Sequence, residues 1–319
     1  MLKKNTILLF AVALGISSTA YTQSVDVPEK AKMHHEVPDE KSIPMDLEVI
    51  KTTSAYTFES AGFFTTQANV NSSGQNIVGD AANEPSIAVD PTNPDRIMIG
   101  WRQFDNVNSS FRQAGYAYSL DAGQTWTFPG SIDAGIFRSD PVLDCDPDGN
   151  FYYNSLTVTA SDDFLCTVYK TADGTVEWDE GTFAEGGDKQ WMRIDKTEGV
   201  GAGNNYSFWT KWYSYCYPQY FTRSTNWGTS YEPCTTIPGE PYWGTLAVGP
   251  DGELFIVGAS EFNDVMVTKS VNAQVQGSTI SWTQYSPVDL DGQLTGWTQV
   301  NPAGLLGQAW VDVDISDGP

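Results

Sequence analysis

Three carboxylates recur at one kind of place in this sequence, just ahead of a short apolar stretch. Glu84 precedes "PSIAVD", Asp140 precedes "PVLDCD" and Asp188 precedes "KQWMRID". Arg138, Lys189, Trp191, Tyr242, Trp243 and Trp310 occupy comparable places, and Arg102 and Arg112 flank the loop "QFDNVNSSF". Two carboxylates across a glycosidic bond can divide the work of acid and base. Aromatic faces can stack on sugar rings, and Arg can clamp an anionic group through two parallel hydrogen bonds. Glu84, Asp140 and Asp188 are therefore the candidate acid/base groups. Arg138, Arg102, Arg112, Lys189, Trp191, Tyr242, Trp243 and Trp310 are the candidate substrate contacts. They form a site only if the fold gathers positions spread from residue 84 to residue 310.

Other chemistries are poorly supplied. The only histidines are His34 and His35, in a polar, Pro-broken stretch near the N-terminus. A Ser–His–Asp or Cys–His relay in the main part of the chain therefore has no base. There is no C-x-x-C, so a zinc site is not expected. "DCDPDGN" places Asp144, Asp146 and Asp148 at alternate positions with Gly149 sixth, like the start of a calcium loop. The twelfth position is Ser155 rather than Glu, so the stretch reads as a hairpin turn; no metal and no cofactor are implied. The net charge of −23, from 40 acidic and 17 basic residues, argues against a nucleic-acid partner.

The N-terminus has the grammar of an export signal. Lys3 and Lys4 lead into "TILLFAVALGI", followed by the small residues "SSTA". The apolar run is shorter than the roughly 20 residues that span a bilayer. Residues 1–20 are thus expected to be a cleaved signal peptide of bacterial type, leaving a secreted or cell-surface protein with no membrane span. Residues 21–80 read as an extended or partly disordered segment, with one candidate strand in Ala55–Thr66. Export permits disulfides. The four cysteines, Cys145, Cys166, Cys216 and Cys234, allow three pairings, of which Cys216 with Cys234 across a predicted hairpin is the more persuasive.

What would position the site is a repeat. From Glu84 onward, a short apolar strand, an Asp/Pro/Gly turn and a second apolar or aromatic strand come round again and again. The turn entries align at Asp90, Asp146, Asp195, Gly249 and Asp314, at intervals of 56, 49, 54 and 65 residues. Between them runs a second series: "SLDAGQTW" from Ser119, "TADGTVEW" from Thr171, "STNWGTSY" from Ser224 and the looser "SVNAQVQGSTISW" from Ser270. The two series keep step. Each unit therefore reads as four strands, in the first unit near 84–90, 95–101, 112–119 and 124–128, and four short antiparallel strands per repeat make a propeller blade.

The octet Ser119-x-Asp121-x-Gly123-x-Thr125-Trp126 resembles the Asp-box, or BNR, repeat of sialidase-like β-propellers; Ser224, Asn226 and Gly228 form a weaker copy. Its aspartate is expected to accept hydrogen bonds from its own turn, its Gly to take a positive φ, and Trp126 to bury against the neighbouring sheet. The resemblance implies an all-β propeller of four-stranded antiparallel blades over residues 81–319. About five blades are begun in a C-terminally truncated chain, with a six-bladed parent. It also implies ligands gathered over the central channel at the entries of the innermost strands. Sialidases of this type open their first blade with Arg-Ile-Pro, whereas this chain has Asn83-Glu84-Pro85 and only six arginines in all. The expectation is a glycosidase-like propeller acting on an extracellular glycan or glycoprotein. The alternatives are a non-catalytic glycan- or protein-binding propeller, exposing aromatics such as Trp243 and Trp310 on the channel face, or a module of a larger surface protein.

Overall fold

Apolar and aromatic residues alternate with polar ones in short runs, and Gly, Asp, Asn and Pro punctuate them, so strands are favoured over helices. In the computed structural model, residues 41–43, 50–159, 161, 163–261, 265–291 and 307–314 are described. The expected export signal of residues 1–20 lies outside them. Among the described residues the one helix is a single 3-10 turn, Lys211–Tyr213, and no helix is long and apolar enough to cross a membrane.

Residues 50–80 form two small antiparallel sheets. One pairs β1 (Thr52–Ser54) with β4 (Gln75–Ile77), the other β2 (Thr57–Ser60) with β3 (Phe63–Thr66). The next strands fall into sheets in strict chain order. Blade 1 is β5 (Ala81–Val89), β6 (Ile97–Phe104), β7 (Arg112–Ser119) and β8 (Thr127–Ile132). Blade 2 is β9 (Ser139–Cys145), β10 (Phe151–Val158), β11 (Phe164–Thr171) and β12 (Thr182–Phe183). Blade 3 has three strands, β13 (Trp191–Ile194), β14 (Asn205–Phe208) and β15 (Phe221–Ser224). Blade 4 is β16 (Tyr242–Val248), β17 (Leu254–Ala259), β18 (Val265–Ser270) and β19 (Trp282–Val288).

The first strands touch in sequence: β5 lies against β9, β9 against β13 and β13 against β16. Antiparallel sheets whose first strands succeed one another about a common axis are the blades of a β-propeller. Among the described residues four blades are present where about five were expected to begin. The fifth stretch, residues 307–314, contains no strand, but it docks along β16: the Ala309 N–H donates to the Trp243 carbonyl (3.2 Å) and the Val311 N–H to Thr245 Oγ1 (2.9 Å).

The hydrophobic core lies between blades. Met98, Tyr116, Leu143, Phe151 and Tyr153 fill the space between blades 1 and 2, with Trp178 edge-on to Tyr116 at 5.3 Å. Tyr152, Leu156, Met192 and Ile194 join blades 2 and 3, and Tyr206, Phe208, Leu246 and Ile256 join blades 3 and 4. Gly100 of β6 lets blade 2 approach closely: a Cβ there would sit 2.5 Å from Leu143 Cδ1 and 2.6 Å from the Tyr153 ring.

The four octets share one hydrogen-bond circuit. Ser119 Oγ donates to Asp121 Oδ1 (2.7 Å) and accepts from the Gly123 N–H (2.8 Å), while Asp121 accepts from the Thr125 N–H (2.8 Å) and hydroxyl (2.6 Å). Thr171 and Asp173 repeat it in blade 2, Ser224 and Asn226 in blade 3, and Ser270 and Asn272 in blade 4. Asn substitutes for Asp because one amide oxygen suffices to accept the same two hydrogen bonds. Gly123 and Gly228 have φ of 79° and 75°. Trp126 departs from expectation. It is half-buried, and its Nε1 donates to Thr66 Oγ1 (3.0 Å), so it anchors the N-terminal hairpin instead of packing between blades. Trp178, at the end of the second octet, takes the inter-blade place.

Blade 3 completes its outer edge without a fourth strand. The Glu232 N–H donates to the Arg223 carbonyl (2.8 Å) and the Thr235 N–H to the Phe221 carbonyl (2.8 Å). The Cys216–Cys234 disulfide pins this segment; Cys145 and Cys166 are buried free thiols.

Two outcomes test this packing. Gly100→Ala is expected to lower the urea-unfolding free energy by about 1–3 kcal/mol, because the methyl group overpacks the seam between blades 1 and 2. Asp90 is buried at the first hairpin turn. Burial pushes its carboxyl up, but hydrogen bonds from Thr92 and the Arg96 guanidinium outweigh this and hold it below the ordinary value of 3.8. A depressed carboxyl stabilises the fold above its unfolded pKa and stops doing so as pH falls through the folded one. The stability gap between wild type and Asp90→Asn should therefore be full at pH 7 and narrow as pH falls below 3.8.

Candidate functional site

The innermost strands begin at one end of the molecule, and each begins the same way. Glu84, Asp140, Lys189 and Trp243 stand at the same distance ahead of the turn entries Asp90, Asp146, Asp195 and Gly249, and all have left-handed backbone, with φ of 51°, 44°, 57° and 48°. At Glu84, Asp140 and Trp243 the strand carries a bulge, where its register against β6, β10 or β17 shifts. Non-glycine residues in this region cost on the order of 1–3 kcal/mol each, and such strain concentrates at functional sites.

Glu84 and Asp140 come together here. Arg102 Nη2 lies 2.7 Å from Glu84 Oε1, and Arg102 Nε donates to Asn83 Oδ1 (2.8 Å). Asp140 accepts a hydrogen bond from the Ser139 hydroxyl (3.0 Å) and another from the Lys189 N–H (3.1 Å), which joins blade 2 to blade 3. Gln190, buried, donates its amide to the Asp140 carbonyl. The Glu84 side chain is 50% exposed, yet it lies under enough protein for desolvation to push its carboxyl above the ordinary value of 4.5, and the Asp140 charge adds to the push. Arg102, Lys189 and Arg112 pull the other way without cancelling it. Two carboxyls whose charges act on each other, held by different partners, are the arrangement in which one can hold a proton while the other accepts hydrogen bonds.

The remaining candidates divide. Trp191 is half-buried and meets Trp310 edge-on at 5.1 Å, and Trp310 is 65% exposed, so β13 and the docked stretch 307–314 present an aromatic pair at the same end. Asp188, only 1% exposed, is turned into the molecule; its N–H donates to the Tyr213 carbonyl (3.1 Å) and its carbonyl accepts from the Thr210 N–H (3.0 Å). Tyr242 and Trp243 are core residues packed with Trp212. Trp243 was expected to be exposed; it is instead buried, packed with Trp212 and Tyr242. Arg138 is buried against the Tyr169 ring (5.2 Å) with Nη2 3.0 Å from Asp133 Oδ2, and Arg112 is buried over the Phe137 ring (5.3 Å). Both are thus held by the packing of blades 1 and 2.

Gln190 did not stand out in the sequence, and Ser139 did so only as a strand-entry residue beside Asp140. The signal was adjacency alone: each is the immediate neighbour of a candidate. The calcium-like loop resolves into unrelated contacts. Asp146 accepts from the Asp148 and Asn150 N–H groups and the Tyr152 hydroxyl of its own hairpin, whereas Asp144 accepts from the Ile194 N–H across to blade 3. Among the described residues the one grouping with metal-ligand atoms close together is Glu185 with Cys216 and Cys234, whose sulfurs are joined to each other and offer no thiolate.

No family model matches the chain, and no curated protein matches it. Solved structures of similar architecture include a Hadza microbial sialidase (12% identity over 66% of this chain and 46% of that one, TM-score 0.47). Another is the NanB sialidase of Streptococcus pneumoniae (8%, 66% and 52%, TM-score 0.45). A third is an α-L-arabinanase of Penicillium chrysogenum complexed with arabinobiose (12%, 82% and 76%, TM-score 0.45). The chain spans about half the length of the two sialidase chains.

The raised Glu84 carboxyl has a consequence for stability. A carboxyl whose folded pKa exceeds its unfolded value favours the fold fully below the unfolded value, and that contribution is lost as pH rises through the folded one. Glu84→Gln removes this dependence. The melting temperature of the variant relative to wild type should therefore be higher at pH 7 than at pH 4, and equal differences at the two pH values would contradict the assignment.

Proposed function

We propose that this chain is a secreted, glycan-directed β-propeller of glycosidase type, with its octets serving as Asp-box repeats. Glu84 and Asp140 act as its acid/base pair. The observation that carries the reading is the meeting of Glu84 and Asp140 at equivalent strained positions of neighbouring blades, one carboxyl raised in pKa and half-open to solvent, the other fixed by Ser139 and the Lys189 N–H.

In this reading Glu84 protonates the leaving glycosidic oxygen, since burial and the Asp140 charge keep its proton on to higher pH. Asp140 acts on the opposite side of the bond, as nucleophile or as the base that activates water. Lys189 and Arg102 place positive charge beside the pair, and the Trp191–Trp310 pair offers an apolar face to a sugar ring. Asp188, being buried, supports the backbone of this end and takes no part in proton transfer.

The test is release of reducing ends from a panel of soluble polysaccharides and oligosaccharides. Glu84→Gln and Asp140→Asn should each lower turnover by about 10²-fold or more, whereas Asp188→Asn should act through stability. The wild-type rate should fall as pH rises through the Glu84 pKa. Wild type that binds a glycan and never cleaves it would replace this reading with the non-catalytic binding propeller.

A further inference from the structure

The end of the molecule that carries Glu84 and Asp140 also carries a second set of aromatics, set apart from Trp191 and Trp310. The chain between β14 and β15 returns alongside the lead-in to β13. The Asp188 N–H donates to the Tyr213 carbonyl (3.1 Å), and the Tyr215 N–H donates to the Gly186 carbonyl (2.9 Å). This short ladder runs straight into Lys189. Its far end displays Tyr215, 48% exposed, and Tyr217, 41% exposed, directly on either side of Cys216. Phe183, from the last strand of blade 2, is 46% exposed and meets Tyr215 edge-on at 5.2 Å.

These rings are held rigidly for surface residues. Cys216 is bonded to Cys234, and Ser214 accepts from Trp209 Nε1 (2.7 Å) and donates to the Gln219 carbonyl (2.5 Å). Rigid, exposed aromatics bind at low entropic cost. Glu185 lies beside the Cys216–Cys234 bond between them, in a chain of net charge −23, so a polyanion is repelled. What suits them is a neutral, many-hydroxyl ring with an apolar face. Two hydrogen-bonded rungs, at Gly186 and Asp188, lie between these rings and Lys189.

We propose that Phe183, Tyr215 and Tyr217 form a second binding platform, for a neutral oligosaccharide chain whose far end lies at Glu84 and Asp140. The inference rests on the glycan-directed reading above and deepens it: the ligand is a chain of several neutral sugars that contacts hub and rim together.

Affinity electrophoresis of the full chain in gels containing linear arabinan, xylan or β-glucan tests this, with poly-lysine as a separate arm. Wild type should be retarded by at least one neutral polysaccharide. The double variant Phe183→Ala/Tyr215→Ala should bind it about tenfold more weakly. The double variant Phe183→Leu/Tyr215→Leu keeps apolar volume, and an unchanged melting temperature with the same loss of binding shows that stacking, and not folding, is responsible. Retention of full binding by both double variants, no retardation of wild type by any of the three polysaccharides, or retardation by poly-lysine alone overturns the platform. Binding that depends on the aromatics in a wild type with no hydrolytic activity leaves the platform standing and removes the catalytic reading instead.

Discussion

Each inner strand must enter its blade at the axis, where neighbouring first strands crowd together, and each does so through one residue in left-handed backbone. At Glu84, Asp140, Lys189 and Trp243 that residue is not glycine. A Cβ in this region is unfavourable by itself, so the surrounding contacts must hold it there. At Asp140 the hydrogen bonds from Ser139, Lys189 and Gln190 do so, and at Trp243 the packing of Tyr242 and Trp212 does. The same bend that starts the blade also aims its side chain, so fold and candidate site share one constraint.

The opposite end of the blades is held by a different device. There the hydroxyl of Ser or Thr and the side-chain oxygen of Asp or Asn close a circuit within the turn before each outermost strand. These bonds are local and satisfy the turn's backbone donors without help from another blade. That allows the outer edge to vary. Blade 3 lacks a regular fourth strand, yet its turn keeps the circuit, and a disulfide secures the irregular segment in its place. Blade 1 uses Trp126 to dock the N-terminal hairpin.

Electrostatics then divides similar residues into different roles. Asp90, Asp146 and Asp195 are fully buried at the hairpin turns, and their own turns supply the donors. Glu84 is half-open, close to Asp140 and beside Arg102. Equivalent positions in four blades thus hold two carboxylates, a lysine and a tryptophan, and such asymmetry is what a repeat needs to build a single site on a symmetric frame.

Much of this was legible in the chain. The in-step recurrence of hairpins and octets determined the blade order and the strand content of blade 1: 81–89, 97–104, 112–119 and 127–132 against the expected 84–90, 95–101, 112–119 and 124–128. It also put Glu84 and Asp140 at equivalent strand entries, and a predicted hairpin made Cys216 with Cys234 the more persuasive of three possible pairings. These signals are local in sequence, because a strand, a turn and an Asx circuit are each made within a few residues. The burial of Asp188, Tyr242 and Trp243, the diversion of Trp126 and the three-stranded blade 3 were decided only when the blades packed. So was the alignment of Tyr215 with Gly186. Which way a ring or carboxyl points at a bend depends on a backbone angle fixed by neighbours from other blades, and those neighbours lie far away in the chain.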